Sequence, residues 1–149
     1  MANLTLVQAI NLALIQEMEK ENRVLLLGED IGLNGGVFRA TEGLFQRFGE
    51  NRVVDTPLAE SGIMGTAIGL AMGGLRPIPE IQFEGFLGPA FDQLTNQCAR
   101  SNTRTRGALT CPLVLRVPVG GGNASGGCGA PGRLRRHGGA RSGHVRHRT

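Results

Sequence analysis

Apolar residues at Leu6, Ile10, Ala13, Leu14 and Met18 recur at helical spacing, with Gln16, Glu17, Glu19 and Lys20 on the opposite side. Thr5 followed three positions later by Gln8 is a capping-box start. The pattern predicts an amphipathic helix of about four turns. Val24-Leu25-Leu26-Leu27 is then a continuous apolar run ended by Gly28, as expected of a strand covered on both faces. Thr41 to Phe48 reads as a short helix stopped by Gly49, and Val53-Val54 as a second short buried strand. Ile63 to Met72 is an apolar, glycine-spaced helix. Pro77 and Pro79 frame Ile78 and lead into a strand at Glu80-Ile81-Gln82-Phe83, with the prolines at an edge or entry point. Pro89 to Asn102 is a further helix with Ala90, Phe91, Leu94 and Cys98 facing inward, and Leu113 to Val117 is a last strand closed by Pro118. Strands alternating with helices in this order imply an α/β fold with a mainly parallel sheet flanked by helices.

Two features of this pattern bear on function. Gly28-Glu29-Asp30-Ile31-Gly32-Leu33-Asn34-Gly35-Gly36 leaves the first strand as a glycine-rich loop without the Lys-Ser/Thr of a phosphate loop. It reads either as a mobile connector or as backbone that passes close to a ligand or partner subunit. Gly62, Gly65, Gly69 and Gly73 share one helix face, which points to close approach by a sheet or a second subunit.

The stretch Asp55-Thr56-Pro57-Leu58-Ala59-Glu60-Ser61-Gly62-Ile63 organises the chain. It places Glu60 where a strand hands over to a helix, with Pro57 fixing the turn and Ser61 available as a cap. Ligands of open α/β sheets bind beside such strand ends. The plain alternative is an acid in a first helical turn, favoured by the macrodipole.

Charge divides the chain. Residues 1–122 hold ten Lys plus Arg and all twelve Asp plus Glu, a net of −2, whereas residues 123–149 hold six Arg, no acid and all three His. The basic balance therefore belongs to the tail. Arg100, Arg104 and Arg106 read as a solvated face at a helix end. No apolar run approaches the roughly 20 residues that span a bilayer, and the start has no secretory pattern, so a cytoplasmic protein is expected. Cys98, Cys111 and Cys128 are odd in number and widely spaced, which fits neither a disulfide framework nor a Cys-x-x-Cys zinc site.

Taken together, the Gly28–Gly32 and Gly35–Leu44 segments, the Asp55–Ile63 stretch, Arg76-Pro77 with Glu80-Ile81-Gln82-Phe83, and Pro89-Ala90-Phe91-Asp92-Gln93 resemble the β subunits of heterotetrameric thiamine-diphosphate-dependent 2-oxoacid dehydrogenases. The likeness is strongest to the bacterial pyruvate-specific branch, with branched-chain and acetoin enzymes as near relatives. It covers residues 4–122 almost continuously. The resemblance implies the pyrimidine-binding domain of the thiamine-diphosphate fold, incomplete at its C-terminal side. It implies that thiamine diphosphate lies between subunits, with an α subunit holding the diphosphate and Mg²⁺. Glu60 then hydrogen-bonds a ring nitrogen of the aminopyrimidine and makes its exocyclic amine a competent base. Leu58 lines the ring, Phe86 stacks on it, and Glu29 joins Glu60 among the cofactor-facing residues. Leu113 matches a position whose carbonyl helps hold a structural potassium ion in some members. The implied reaction decarboxylates pyruvate and passes the acetyl group to a lipoyl arm of the acyltransferase core, and a second β subunit completes the assembly.

The chain departs from the family after Gly120-Gly121-Gly122. A catalytic His is expected there, yet Asn123-Ala124-Ser125-Gly126 follows and the first histidine is His137. The family's C-terminal domain is also missing. Residues 1–122 are thus read as a partial domain that is inactive alone, and residues 123–149 as a disordered Arg/Gly-rich tail of out-of-frame composition. A rival reading makes that tail a salt-sensitive nucleic-acid binder on an inert scaffold, although interleaved aromatics are absent. A third makes the partial domain a decoy that captures α. Resequencing the coding DNA across codons 118–128 separates the first reading from the others. A base insertion or deletion that restores a His-containing continuation is expected, and a frame confirmed as written overturns the frame-shift reading.

Overall fold

Thr5 caps the first helix as its pattern predicts. Its backbone N–H donates to Gln8 Oε1 at 2.9 Å while Gln8 N–H donates to Thr5 Oγ1 at 3.3 Å. Helix α1 (Leu6–Lys20) follows. Its inner half packs, with Leu14 and Met18 buried, whereas Leu6 at its start is exposed. The structure, a computed structural model, describes residues 3–119. The expected tail and the position of the family's histidine lie outside the described residues.

Strand β1 (Val24–Gly28) is buried at all five positions because it is central. It pairs in parallel with β2 (Val53–Asp55) on one edge and with β3 (Arg76–Glu80) on the other, giving the order β2-β1-β3. The helices lie on both faces, as expected. Leu14 and Met18 of α1 join Val24, Leu26, Val53 and Leu44 of α2 (Leu44–Phe48) on one face. Leu27 turns to the other, where Ile63, Met64 and Ala67 of α3 (Glu60–Met72) meet Ile81 and Ala90. Val54 packs at the edge of that second cluster. No helix among the described residues is long and apolar enough to cross a membrane.

Several local expectations shift. Helix α2 starts at Leu44 rather than Thr41, and α3 starts at Glu60. Ala59 therefore occupies the N-cap position, no side chain caps the helix, and Ser61 lies inside the first turn. The third strand lies earlier than its predicted span, on Arg76–Glu80 itself. Pro77 and Pro79 are tolerated because alternate residues face opposite edges. Arg76 N–H turns to β1 and donates to Arg23 O at 2.9 Å, while the prolines turn to the outer edge. There their carbonyls accept from Val114 N–H at 3.2 Å and Arg116 N–H at 2.9 Å, but they have no N–H to return. The predicted strand at Leu113–Val117 is consequently only half bonded and registers as a single parallel bridge, Glu80 with Arg116.

Helix α4 (Leu87–Asp92) continues through a π-helical stretch at Gln93–Cys98 into α5 (Ala99–Arg104). Ala90 and Cys98 are buried and Leu94 packs against the second cluster, but Phe91 is 55% exposed. The wider π turn keeps the four-residue spacing Ala90-Leu94-Cys98 on one stripe, and Phe91 falls one position round from it. Arg100, Arg104 and Arg106 are exposed, as a solvated face requires. The glycine face of α3 does not meet another backbone within the described residues. A Cβ on Gly69 would touch nothing within 4 Å, and one on Gly65 would reach only Gln93 Oε1 at 3.9 Å. It borders an open groove of about 430 Å³ shared with Gln97, Ser101 and Arg104.

Arg52 holds the first layer to the sheet. Its guanidinium donates to Val24 O at 2.6 and 2.9 Å, Met18 O at 2.9 Å and Glu21 O at 3.0 Å, and lies 5.4 Å from the Phe48 ring centroid. One side chain thus closes the end of α1 onto the start of β1. Arg52→Ala is expected to lower stability by about 2–3 kcal/mol, because several half-buried carbonyls lose a charged donor. Arg52→Lys should recover only part of it, since an ammonium cannot span the same acceptors. Urea midpoints of the three proteins check this, and an Arg52→Ala midpoint equal to wild type would refute it.

Candidate functional site

Parallel strands put their C-terminal ends on one edge of the sheet. Here the register aligns Gly28 with Asp55 of β2 and with Glu80 of β3, so three chain exits leave side by side. The β1 exit carries Glu29 and the glycine-rich loop, the β2 exit carries Thr56 to Glu60, and the β3 exit carries Ile81 to Phe86. This is the edge at which open α/β sheets take ligands.

The glycine-rich loop is anchored rather than a loose connector. Gly32 N–H donates to Asp55 Oδ1 at 2.6 Å, Gly36 N–H to Asp30 O at 2.8 Å and Thr41 Oγ1 to Ile31 O at 2.7 Å. Asn11 of α1 donates to Ala40 O at 2.9 Å and Glu42 O at 3.0 Å from behind. The close backbone approach expected of the loop is met inside the chain. A Cβ on Gly32 would lie 2.5 Å from Asp55 Oδ2, so only glycine lets this carboxylate sit against the loop.

Glu60 is the first residue of α3 and half-buried. Glu29, also half-buried, lies close enough to feel it. Burial first, then the charges of Asp30 and Glu60, push the Glu29 carboxyl above its ordinary value. The structure therefore brings two of the sequence-predicted residues, Glu29 and Glu60, into one electrostatic neighbourhood. Leu58, between Asp55 and Glu60, is 71% exposed. Phe86 closes a 3-10 turn at Glu84–Phe86 and packs half-buried against the second cluster. Leu113 packs against the same cluster from the half-bonded edge segment, next to the Val114–Pro77 hydrogen bond.

Two features escaped the sequence reading. Phe38, Phe83 and Phe86 form a row of edge-to-face contacts, with centroids 5.8 Å apart at each step and Phe38 and Phe83 exposed. The signal was present as Phe residues just beyond the strand ends, but the displaced third strand hid it. The second feature is polar. Thr56 Oγ1 and Glu80 Oε1 are buried with no hydrogen-bond partner, and both lie on this edge. The other carboxylate oxygen of Glu80 pairs with Arg116. Among the described residues no group of three or more His, Cys, Asp or Glu could hold a metal ion.

A parallel α/β domain with an acid at the start of the helix after its second strand, on the ligand edge, defines a class. Residues 2–127 match the family described as "Transketolase, pyrimidine binding domain", and the chain belongs to it. The particular relatives are "Pyruvate dehydrogenase E1 component subunit beta" from Acholeplasma laidlawii, 53% identical over 122 residues, from Staphylococcus epidermidis, 56% over 122, and from Leifsonia xyli subsp. xyli, 57% over 119. These alignments take in 82%, 82% and 80% of this chain but 37%, 38% and 35% of the relatives. The chain thus spans little more than a third of the length of the curated relatives it matches.

The raised Glu29 carboxyl has a consequence for stability. A folded-state value above the ordinary 4.5 means that the folded chain binds this proton more tightly than the unfolded chain. The resulting destabilisation is absent below pH 4.5 and develops as pH rises through the folded value. Glu29→Gln is therefore expected to raise the urea midpoint at neutral pH and to leave it nearly unchanged at pH 4. A variant that keeps the wild-type pH slope would remove burial and Glu60 as the cause.

Proposed function

We propose that this chain is the aminopyrimidine-facing part of a β subunit of a thiamine-diphosphate-dependent pyruvate dehydrogenase. The observation that carries the proposal is Glu60 on the first turn of α3, on the C-terminal edge of the sheet beside Glu29. The residues present fit one half of the cofactor. An acid that shares one sheet edge with exposed Leu58, the Phe38-Phe83-Phe86 row and unpartnered polar atoms suits a flat ring with polar edges. When bound, thiamine diphosphate supplies the carbanion chemistry that decarboxylates a 2-oxoacid. Glu60 shares a proton with a ring nitrogen and so fixes the tautomer of the aminopyrimidine. Leu58 and Phe86 hold the ring by apolar contact and exclude water from that proton. Glu29, whose carboxyl is pushed above its ordinary value by burial and by the charges of Asp30 and Glu60, shares this edge with it.

An α subunit supplies the sites for diphosphate and Mg²⁺ in this reading. Glu60 and Leu58 are too open within this chain to make a dry site, so a second surface has to cover them. The open glycine face of α3 suits close approach by a second β subunit. A lipoylated acyltransferase core accepts the acetyl group, and the names of the relatives support pyruvate as the 2-oxoacid. The carbonyl of Leu113 is retained as a proposed contributor to a structural potassium site whose other ligands come from outside the described residues.

In a full-length β subunit carrying this domain and assembled with α, Glu60→Gln is expected to lower turnover of pyruvate by about 10²–10⁴-fold. Co-elution with α should be unchanged. Near-normal turnover in an intact assembly would remove Glu60 from its proposed role.

A further inference from the structure

Cys98 and Cys111 are thirteen positions apart in the chain, yet their Sγ atoms lie 3.4 Å from each other. Cys98 closes the π-helical stretch and is 9% exposed, while Cys111 is half-buried at the head of the segment along the outer edge of β3. The turn between them is itself folded. Gly107 N–H donates to Asn102 O at 2.8 Å and Leu109 N–H to Thr105 Oγ1 at 3.0 Å. The two sulfurs therefore meet as a property of the fold. A disulfide needs them about 2 Å apart, so the pair has only the remainder of that gap to close.

We propose that Cys98 and Cys111 form a redox-sensitive clamp that ties the edge segment Cys111–Val117 to the long helix. This inference does not depend on the cofactor reading above. The segment needs such a tie. Leu113, Leu115 and Val117 pack on the second cluster, but three backbone hydrogen bonds, Val114 to Pro77, Arg116 to Pro79 and Ile81 to Arg116, hold it to β3. The prolines can donate none. A bond from Cys111 to Cys98 anchors the head of the segment where the ladder is weakest. Reduction leaves it on the three backbone bonds and the Glu80–Arg116 ion pair.

The chemistry is thiol–disulfide exchange with a small-molecule disulfide. One thiolate of the pair attacks a sulfur of that disulfide and expels one small thiolate. The second then attacks the mixed disulfide at the first cysteine's sulfur and expels the other. Two thiol protons pass to solvent or the leaving thiolates, the protein pair loses two electrons, and the small disulfide is reduced to two thiols. The contact favours the first step, since the hydrogen bond between the two sulfurs lowers the Cys98 value against the opposing effect of burial. The same contact holds Cys111 protonated.

The test uses the full 149-residue chain carrying Cys128→Ser, so that the pair alone remains, treated with oxidised glutathione in native buffer and in concentrated urea. An intramolecular bond, seen as loss of two hydrogens and as a linked Cys98–Cys111 peptide pair, is expected to form roughly tenfold or more faster in native buffer, because the fold raises the effective thiol concentration. Amide exchange at Val114 and Arg116 should then slow by about tenfold and recover on reduction with dithiothreitol. Cys98→Ala and Cys111→Ala should each yield glutathione adducts and no link. Equal rates in buffer and urea would overturn the proximity, stable mixed disulfides in the native chain would overturn the pairing, and unchanged exchange after linking would overturn the clamp.

Discussion

The close approach of backbone at Gly28 governs the rest of this fold. Strand β1 is hydrogen-bonded on both edges and buried throughout, so its last residue has neighbours on every side. A Cβ there would meet Glu80 O at 2.9 Å and Ile31 Cγ2 at 3.2 Å. With glycine in place, β1 and β3 stay paired to their ends and the chain turns away immediately into Glu29. A side chain would spread the strands where the three exits meet. It would also separate Glu29 from the start of α3. The site edge is thus a consequence of the sheet staying closed at one residue.

The carboxylates on that edge are arranged with a sign that matters. Glu29, Asp30, Asp55, Glu60 and Glu80 all lie at or just beyond strand ends, and three of them have a partner within the chain. Glu80 meets the Arg116 guanidinium, Asp55 accepts from Gly32 N–H and Asp30 accepts from Asn34 Nδ2. Glu29 and Glu60 have no such partner among the hydrogen bonds of the described residues, and the effect of Glu60 on Glu29 is to favour its protonated form. A carboxylate without a partner in the chain is free to bond a ring nitrogen, whereas a fully compensated one would be inert. The chemistry proposed for Glu60 therefore grows from which acids the fold leaves uncompensated.

Much of this was legible in the residues. Thr5 with Gln8, the unbroken Val24–Leu27 run and the stop at Gly49 each carry a local mechanism, and each is where the pattern puts it. Glu60 was placed by the strand–turn–helix order around Pro57, although Ser61 was given a capping role that the earlier helix start removes. The third strand was misplaced because proline is read as a strand excluder. That rule fails when both prolines face the outer edge, where they still offer carbonyl acceptors to a half-bonded neighbour. Phe91 was misdirected because a π-helical stretch breaks the 3.6-residue phase on which face assignment rests. The meeting of Cys98 with Cys111 and the reach of Arg52 to three separate carbonyl positions are long-range, and no local spacing encodes them.

The half-made edge beside β3 shows how register survives when hydrogen bonding is incomplete. Leu113, Leu115 and Val117 pack inward while Val114 is 60% exposed, a period of two that matches a strand. Pro77 and Pro79 withhold donors, so backbone pairing alone specifies the alignment weakly. The Glu80–Arg116 pair restores it. Glu80 is 3% exposed, and its bridge partner is the residue that supplies the guanidinium. A slip of one residue would turn Arg116 toward the apolar cluster and carry Leu115 to the opposite face, leaving Glu80 buried without its counter-charge. The ion pair therefore acts on this edge as a registry device. It fixes which face of the segment meets the core, a choice that the prolines leave underdetermined.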